Sequence, residues 1–214
     1  MLELGVVYGL LPVLFAVVAQ RGGYRGAMAP LLWIVSAALS IILYRDPAFD
    51  AHALLYVPPF QPEVRAVLLR FAVLGCALLA LGRAVAPASF LWLPRRRPGL
   101  FLLFVLAYPL LSALPQSIIW RVFLVQRYGA LFPDSASLLY VGAAAFSLAH
   151  LAFWNLTALT VTAVGGGLFL HTYLQTNSML LATFEHGAYG IVAFSAGFGQ
   201  FLYRGARGTA RMRG

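Results

Sequence analysis

Four ionisable side chains stand inside apolar segments in the second half of this chain: Arg121, His150, Glu185 and His186. A charged or strongly polar group inside a lipid bilayer is costly and usually has a function. Near neutral pH a histidine can accept or donate a proton, and a carboxylate can act as a base or bind a metal. These residue types therefore predict acid–base chemistry, or a metal site, within a membrane.

A polar cluster is predicted in the segment 115–121. On a helix, Ser117 lies one turn before Arg121 on the same face, and Gln116 is beside it. A buried arginine needs a carboxylate or a group of carbonyl oxygens as its partner. Of the six acids in the chain, Glu185 falls inside an apolar segment away from its ends, so an ion pair between Glu185 and Arg121 is one prediction.

The two histidines are predicted to have different surroundings. Phe146 precedes His150 by one helical turn, so an aromatic ring should pack beside that imidazole. Glu185 and His186 are adjacent and would point about 100° apart on a helix. One of these two should face the site while the other supports it from the side. Asn155 could orient a substrate or an oxyanion, or it could join two helices by hydrogen bonds.

The composition places these side chains in an integral membrane protein. The chain has 214 residues, of which 62% are hydrophobic and 10% are charged, whereas soluble domains average about 25% charged residues. These values exclude a soluble enzyme, a disordered regulator and a disulfide-stabilised secreted domain. The apolar runs are long enough for helices. We therefore predict an all-α polytopic membrane protein.

Seven membrane spans are predicted, at about residues 3–20, 27–44, 64–86, 100–128, 136–158, 161–175 and 178–203. The third span contains Arg70 and Arg83, which should extend toward the two membrane interfaces. The fourth is too long for one straight helix, and Pro109 and Pro115 predict a kink or break near Ser112 to Pro115, with a new helical segment from Gln116 to about Tyr128. If the chain returned to the same side of the membrane at this break, it would have eight spans or a re-entrant segment.

The placement of arginines predicts the orientation of the spans. All 15 basic residues are arginine, and with seven spans ten of them lie on one side: Arg21, Arg25, Arg83, Arg95, Arg96, Arg97, Arg204, Arg207, Arg211 and Arg213. That side is predicted to be the cytoplasm, so the C-terminus should be cytoplasmic and the N-terminus should lie outside.

One integral membrane domain is predicted over residues 1–214, with N-terminal spans at 1–98 and a motif-bearing core at 99–203. The arginines stand in short loops, without a basic stripe interleaved with exposed aromatic residues. The expected partners are therefore the lipid bilayer and a membrane-anchored substrate, and no nucleic acid.

Three motifs follow one another in that core: Gln-x-x-x-x-Arg at 116–121, Phe-x-x-x-His at 146–150 and His-x-x-x-Gly at 186–190. The set resembles the CPBP family of intramembrane proteases, which includes the CAAX-prenyl endopeptidases and bacteriocin-immunity proteins. The resemblance covers about residues 100–203 and is similar to a bacterial branch whose first motif reads Pro-Gln-Glu. It implies cleavage of a membrane-anchored peptide or protein, such as a C-terminal sorting signal or a lipidated segment, in the bacterial inner membrane.

The resemblance assigns roles to the motif residues. His150 matches the histidine that activates water, His186 matches the histidine that stabilises the oxyanion, and Arg121 matches the arginine of the first motif. The two glutamates of that motif are replaced here by Gln116 and Ser117. Neither an amide nor a serine hydroxyl accepts a proton usefully near pH 7.

Three chemical interpretations remain open. Glu185 could replace the missing carboxylate and work with His150 and His186, and the same three residues could hold a catalytic zinc. Ser117 could instead be a nucleophile paired with either histidine. The chain could also be a pseudoenzyme, for instance an immunity or escort protein that binds a hydrophobic peptide. The missing glutamates favour this third interpretation. Gly190 is another departure from the family pattern, because many family members have Asn or Asp at this position. A small transporter is disfavoured, because no inverted repeat is visible.

Overall fold

The computed structural model describes residues 1–22 and 28–203. This part of the chain has seven long helices, namely α1 (2–22), α2 (Met28–Tyr44), α3 (Pro62–Val85), α4 (Pro98–Leu131), α5 (Ser135–Phe153), α6 (Leu156–Thr176) and α7 (Met179–Ser195). Shorter helices lie at His52–Leu55, Trp92–Arg96 and Gly199–Tyr203. No strand occurs in the described residues, so the all-α prediction is confirmed.

Within the described ranges, four helices are long and apolar enough to cross a membrane: α1, α3, α4 and α5. The seven long helices coincide in place with the seven predicted spans. However, α2 and α7 have 17 residues each, and α6 contains five threonines and three glycines. The number of spans therefore stays a prediction. Large apolar side chains on the outside of α3 and α4, such as Leu69, Val73 and Leu106, are exposed, as expected of helices in contact with lipid. The chain is an integral membrane protein.

The residues that precede the helices explain where the helices begin. The side-chain oxygens of Asp134, Asn155 and Ser178 accept hydrogen bonds from main-chain N–H groups three residues later, at 2.7 to 3.1 Å. These are residue types that commonly cap helix N-termini. α3 and α4 each begin with a proline, Pro62 and Pro98, whose missing N–H costs nothing in the first turn. Asn155, predicted to lie within the fifth span, therefore separates α5 from α6.

The predicted break near Ser112 is wrong, because α4 is helical from end to end. The helix widens into π-helical turns at Pro109–Ala113 and Ile118–Phe123. A proline inside a helix removes one main-chain donor and clashes with the preceding turn. A π-helical turn inserts an extra residue and can absorb this misfit. The chain therefore does not turn back at this point, and the return that would have made eight spans is absent.

Contacts between residues near helix ends mark the two ends of the bundle. At one end of the bundle, the N–H of Leu91 donates to the carbonyl of Ser195 at 2.7 Å. At the opposite end, Arg127 pairs with Glu3 at 3.3 Å. The exposed arginines 95–97 lie at the first end.

The predicted orientation also relies on arginines beyond these. Arg25, Arg204, Arg207, Arg211 and Arg213 lie outside the described residues, and so does the side chain of Arg21. The cytoplasmic location of the C-terminus stays a prediction.

α7 is surrounded by α3, α4 and α6, which pack directly against it. Glycines allow some of the closest approaches in this region. A Cβ atom added to Gly190 of α7 would lie 2.6 Å from the hydroxyl oxygen of Tyr108 in α4. A Cβ atom added to Gly166 of α6 would lie 2.8 Å from the Cβ atom of Phe146 in α5. These contacts place α4 directly against α7 and α5 directly against α6.

Candidate functional site

The ring of Phe146 in α5 lies beside three of the predicted site residues. Its centroid is 4.7 Å from that of the His150 ring and 5.5 Å from that of the His186 ring. The guanidinium carbon of Arg121 is 4.6 Å from the same centroid. The predicted packing of Phe146 against His150 is confirmed. Helices α4, α5 and α7 thereby gather Arg121, His150 and His186 around one apolar ring.

His150 lies where the α-helical part of α5, Ser135–Ala149, changes into the 3-10 turn His150–Phe153. Its Nδ1 atom is 2.8 Å from the main-chain carbonyl oxygen of Phe146. Because a carbonyl only accepts hydrogen bonds, this bond requires the hydrogen on Nδ1. The lone pair of the neutral imidazole is then on Nε2. The side chain is half-buried, and this arrangement suits Nε2 to accept a proton.

His186 is buried among aromatic rings. Its ring stacks on that of Phe169, with centroids 4.7 Å apart and an interplanar angle of 18°. The hydroxyl of Tyr108 is 3.4 Å from Nε2, a long contact in which the donor depends on the imidazole tautomer. Nδ1 is buried and has no hydrogen-bond partner among the described residues. The surroundings of His186 are therefore apolar, with Tyr108 supplying a polar contact.

Tyr108 is a site residue that the sequence analysis missed. Its hydroxyl fills the space beside α7 that a side chain at position 190 would need. By resemblance, many CPBP members have Asn or Asp at that position, where this chain has Gly190. Gly190 was the feature of the sequence that could have indicated a close contact here. It does not indicate which residue makes that contact. Tyr108 comes from α4, far away in the sequence, and only the packing of α4 on α7 brings it to His186.

Glu185 is held in a polar network with two residues of other helices. Arg70 of α3 donates to its Oε1 atom from Nη2 at 2.7 Å and from Nε at 3.1 Å. The hydroxyl of Thr172 in α6 donates to its Oε2 atom at 2.6 Å and accepts from Nη2 of Arg70 at 2.6 Å. The predicted ion pair between Glu185 and Arg121 is therefore wrong. The prediction that Arg70 extends to a membrane interface is also wrong, because its guanidinium binds Glu185.

The network explains why the predicted zinc set does not come together. Both carboxylate oxygens of Glu185 are engaged by Arg70 and Thr172. Across the described part of the chain, no three His, Cys, Asp or Glu side chains are grouped to hold a metal ion. His150, His186 and Glu185 thus do not fit a three-ligand zinc site in this arrangement. A catalytic role for the Glu185 carboxylate stays a prediction.

Gln116 and Ser117 are buried in α4, and their side chains bond to α4 itself. The Gln116 amide donates to the Ser112 hydroxyl at 2.9 Å, while its Oε1 atom has no described partner. The Ser117 hydroxyl donates to the carbonyl of Ala113 at 3.0 Å. A serine nucleophile would need a hydrogen bond to a base, and the described bonds of Ser117 include none to a histidine.

Arg121 is the largest fully buried side chain among the described residues. Its guanidinium carbon lies 4.6 Å from the ring centroid of Phe146 and 5.2 Å from that of Phe169. None of its three guanidinium nitrogens has a hydrogen-bond partner in the described structure, and the same is true of the buried Nε1 atom of Trp120. The site therefore contains a buried positive charge with unused donors.

Asn155 takes part in the contacts between helix ends. Its Oδ1 atom accepts from the N–H of Ala158, which caps α6. Its Nδ2 atom donates to the carbonyl oxygens of Phe153 at 3.1 Å and Phe201 at 2.8 Å. This placement matches the alternative in which Asn155 joins helices.

Comparison with known proteins finds a match in the part of the chain that carries this site. Residues 98–192 match the family model of type II CAAX prenyl endopeptidase Rce1-like proteins. The match begins where α4 begins, ends within α7 and contains all three motifs. No curated protein and no solved structure matches the chain significantly. The bacterial branch and the inner-membrane location stay predictions. Residues 98–192, which carry the site, are thus similar to the Rce1-like family of CAAX prenyl endopeptidases.

Proposed function

We propose that the chain is an intramembrane endopeptidase that cleaves a membrane-anchored peptide or protein, such as one with a C-terminal sorting signal or a lipidated segment. The observation that carries the proposal is the placement of His150 and His186 beside Phe146, inside the region that matches the Rce1-like family. An imidazole with a free Nε2 lone pair next to a second buried imidazole suits the hydrolysis of an amide bond.

In the proposed reaction, Nε2 of His150 takes a proton from a water molecule. The water oxygen forms a bond to the scissile carbonyl carbon, and the carbonyl electron pair moves onto the carbonyl oxygen. His186, positioned by Tyr108, faces that oxygen and stabilises its charge. When the C–N bond breaks, its electron pair stays on the leaving nitrogen, which takes the proton back from His150. Glu185 has no proton to move in this scheme, and with Arg70 it holds α7 in place.

A non-catalytic CPBP-like protein is the second candidate, and one observation favours it. Glu185 is bonded to Arg70 and Thr172, so it does not replace the carboxylates lost at Gln116 and Ser117. Such a protein would hold a hydrophobic peptide at the same site without cleaving it, as an immunity or escort protein. An experiment that restores a carboxylate to the first motif distinguishes the two functions.

The substitution Gln116→Glu is expected to raise the cleavage rate by about tenfold or more, because it adds a general base to the first motif. The Ser112 hydroxyl, which now accepts from the Gln116 amide, can rotate to donate to the new carboxylate. The measurement is the initial rate of cleavage of fluorescent membrane-anchored peptides by the full chain in proteoliposomes. Gln175→Glu, at an exposed position of α6, is the matched control and should leave the rate unchanged.

Each result of this assay has a distinct meaning. Cleavage by the unmodified chain supports the protease function. Cleavage that starts only with Gln116→Glu supports the non-catalytic protein on a protease scaffold. If neither the unmodified chain nor the variant cleaves any peptide of the series, the proposed function is wrong.

The substitution Gly190→Ala is expected to slow cleavage by roughly 10- to 100-fold, the range in which a displacement of about 1 Å acts on catalysis. The new methyl group would overlap the Tyr108 side chain and push its hydroxyl away from His186. The Tyr108→Phe variant should reproduce the loss, and the double variant should add little to it. Gly167→Ala, whose methyl group would make an ordinary 3.7 Å contact with Ala143, should keep the full rate. An unchanged cleavage rate in Gly190→Ala would show that Tyr108 has no role in the site.

A further inference from the structure

The connection between α3 and α4 carries a run of exposed arginines. Arg95, Arg96 and Arg97 follow one another directly, and all three are exposed. Arg83, in the last turn of α3, is exposed as well. In the part of the chain that the structure describes, none of these four guanidinium groups pairs with a carboxylate. The surface at this end of the bundle therefore presents a group of positive charges to an anion.

The acidic residues do not offset this charge, because they lie elsewhere. Between Glu63, in the first turn of α3, and Asp134, which follows α4, the sequence has no acidic residue. Glu185 is buried and bonded to other side chains. The other five acids lie at the opposite end of the bundle: Glu3, Asp46, Asp50, Glu63 and Asp134. The two ends therefore differ in charge, and the end with residues 95–97 attracts anions.

The neighbours of these arginines place them at the membrane interface. Large apolar side chains are exposed at the end of α3 and at the start of α4, such as Val85 and Leu100. The arginine run lies between these two lipid-facing segments in the sequence. Trp92 is half-exposed beside it, and tryptophan is enriched at the depth of the lipid headgroups. The arginines therefore lie at the depth of the lipid phosphate groups.

The loop that carries the arginines is fixed to the end of α7. The N–H of Leu91 donates to the carbonyl of Ser195 at 2.7 Å, and the short helix Trp92–Arg96 packs against α7. A Cβ atom added to Gly197 would lie 3.1 Å from the Cβ atom of Ser89, so the turn after α7 packs closely on the loop. A fixed backbone presents the arginines, which lowers the entropy cost of binding a ligand.

We propose that the segment 92–97 binds the phosphate headgroup of an anionic phospholipid in the leaflet at this end of the bundle. The planar guanidinium groups of Arg95, Arg96 and Arg97 suit phosphate oxygens. Each arginine near a membrane surface contributes about fivefold to the affinity for anionic lipid. A zwitterionic headgroup has the same phosphate but also a positive group that offsets its charge, so it binds more weakly.

The test titrates the full chain, in micelles of a neutral detergent, with dioctanoyl phosphatidylglycerol and separately with dioctanoyl phosphatidylcholine. The two lipids have the same acyl chains and differ in headgroup charge, and native mass spectrometry counts the bound molecules. Phosphatidylglycerol is expected to bind at least about tenfold more tightly at low ionic strength. The triple variant Arg95→Gln, Arg96→Gln, Arg97→Gln should bring this ratio close to one. The corresponding triple lysine variant should keep most of the ratio, because it keeps the charge.

The matched control removes the same number of charges from the opposite end of the bundle. It is the triple variant Arg45→Gln, Arg65→Gln, Arg127→Gln, at three exposed positions, and it should keep the full ratio. Melting temperatures in the micelles show whether each variant is folded. The single variant Arg95→Gln, expected to lower the ratio about fivefold, serves if the triple variant at 95–97 is not folded.

Equal binding of the two lipids to the unmodified chain overturns the proposal, and so does a ratio that survives the triple glutamine variant at 95–97. An equal loss in the control variant also overturns it, because net charge rather than this segment would then select the lipid. Glycerol phosphate has a phosphate group but no acyl chains, and it should not displace phosphatidylglycerol. Displacement at equal concentration would show that the ligand is a soluble phosphate and that the proposal is wrong. No peptide is cleaved in these measurements, so their result is independent of the protease function.

Discussion

The His150→Ala variant is expected to lose nearly all cleavage of membrane-anchored peptides, with a rate about 10²- to 10⁴-fold below that of the unmodified chain. Of the two histidines in the cluster, His150 is the one whose Nδ1 atom bonds to a main-chain carbonyl oxygen, that of Phe146 at 2.8 Å. This bond places the hydrogen of the imidazole on Nδ1. Alanine removes the Nε2 lone pair and leaves the attacking water without a base. The measurement is the initial rate in proteoliposomes at saturating peptide, so that a change in binding does not affect it.

His171→Ala is the matched control, because His171 is an exposed histidine of α6 outside the cluster. It should cleave at the unmodified rate. The melting temperature of His150→Ala should stay close to that of the unmodified chain, since His150 is half-buried at a helix end. Cleavage by a folded His150→Ala variant at the unmodified rate would contradict the mechanism proposed here.

The Arg70→Gln variant is expected to lower the free energy of unfolding by about 3 kcal/mol or more, the range for breaking a buried ion pair. The Glu185 side chain is 0% exposed, so it would remain as a buried carboxylate with Thr172 as its remaining described partner. Glu185→Gln should cost less, because the Arg70 side chain is 23% exposed and its charge can still be solvated. Unfolding in a mixed-detergent titration measures both variants.

An exposed ion pair of the same chemistry provides the control. Arg127 and Glu3 pair at 3.3 Å with side chains that are 52% and 55% exposed, and such pairs contribute about 0–1 kcal/mol. Arg127→Gln should therefore change the stability much less than Arg70→Gln does. The double variant Arg70→Met with Glu185→Met should recover much of the loss, because an apolar pair leaves no buried charge behind. Equal effects of Arg70→Gln and Arg127→Gln would show that the buried pair does not hold α3 against α7.

The largest error of the sequence analysis concerns the partner of Glu185. Adjacent residues on one helix point in different directions, so the sequence correctly excluded that Glu185 and His186 aim at one point. It could not identify Arg70 as the partner, because an arginine in an apolar span can extend toward the interface as readily as it can turn inward. The packing of α3 against α7 decides between these possibilities.

The prolines of α4 show a second limit. A proline predicts a kink or a break from its missing donor and its steric clash, and the sequence analysis placed a break near Ser112. The helix instead absorbs the misfit in π-helical turns. Neighbouring helices contact both π-helical turns. The first turn packs against α2 and α7, and the second packs against α2, α5, α6 and α7. A prediction from the proline residues alone does not take these contacts into account.

Taken by itself, the sequence determined that the protein is helical and lies in a membrane, where its long helices fall, and which short motifs make residues 98–192 similar to the Rce1-like family. These properties depend on composition, hydropathy and short spacings, which are local along the chain. The tertiary structure alone decided that Glu185 pairs with Arg70, that Tyr108 fills the space beside Gly190, and that Arg121 is left without a carboxylate. Each of these depends on which helix faces touch across long separations in sequence. In a bilayer, the lipid tails solvate every apolar helix face equally well. Hydropathy therefore does not decide which helices pair, and close packing and buried polar contacts do.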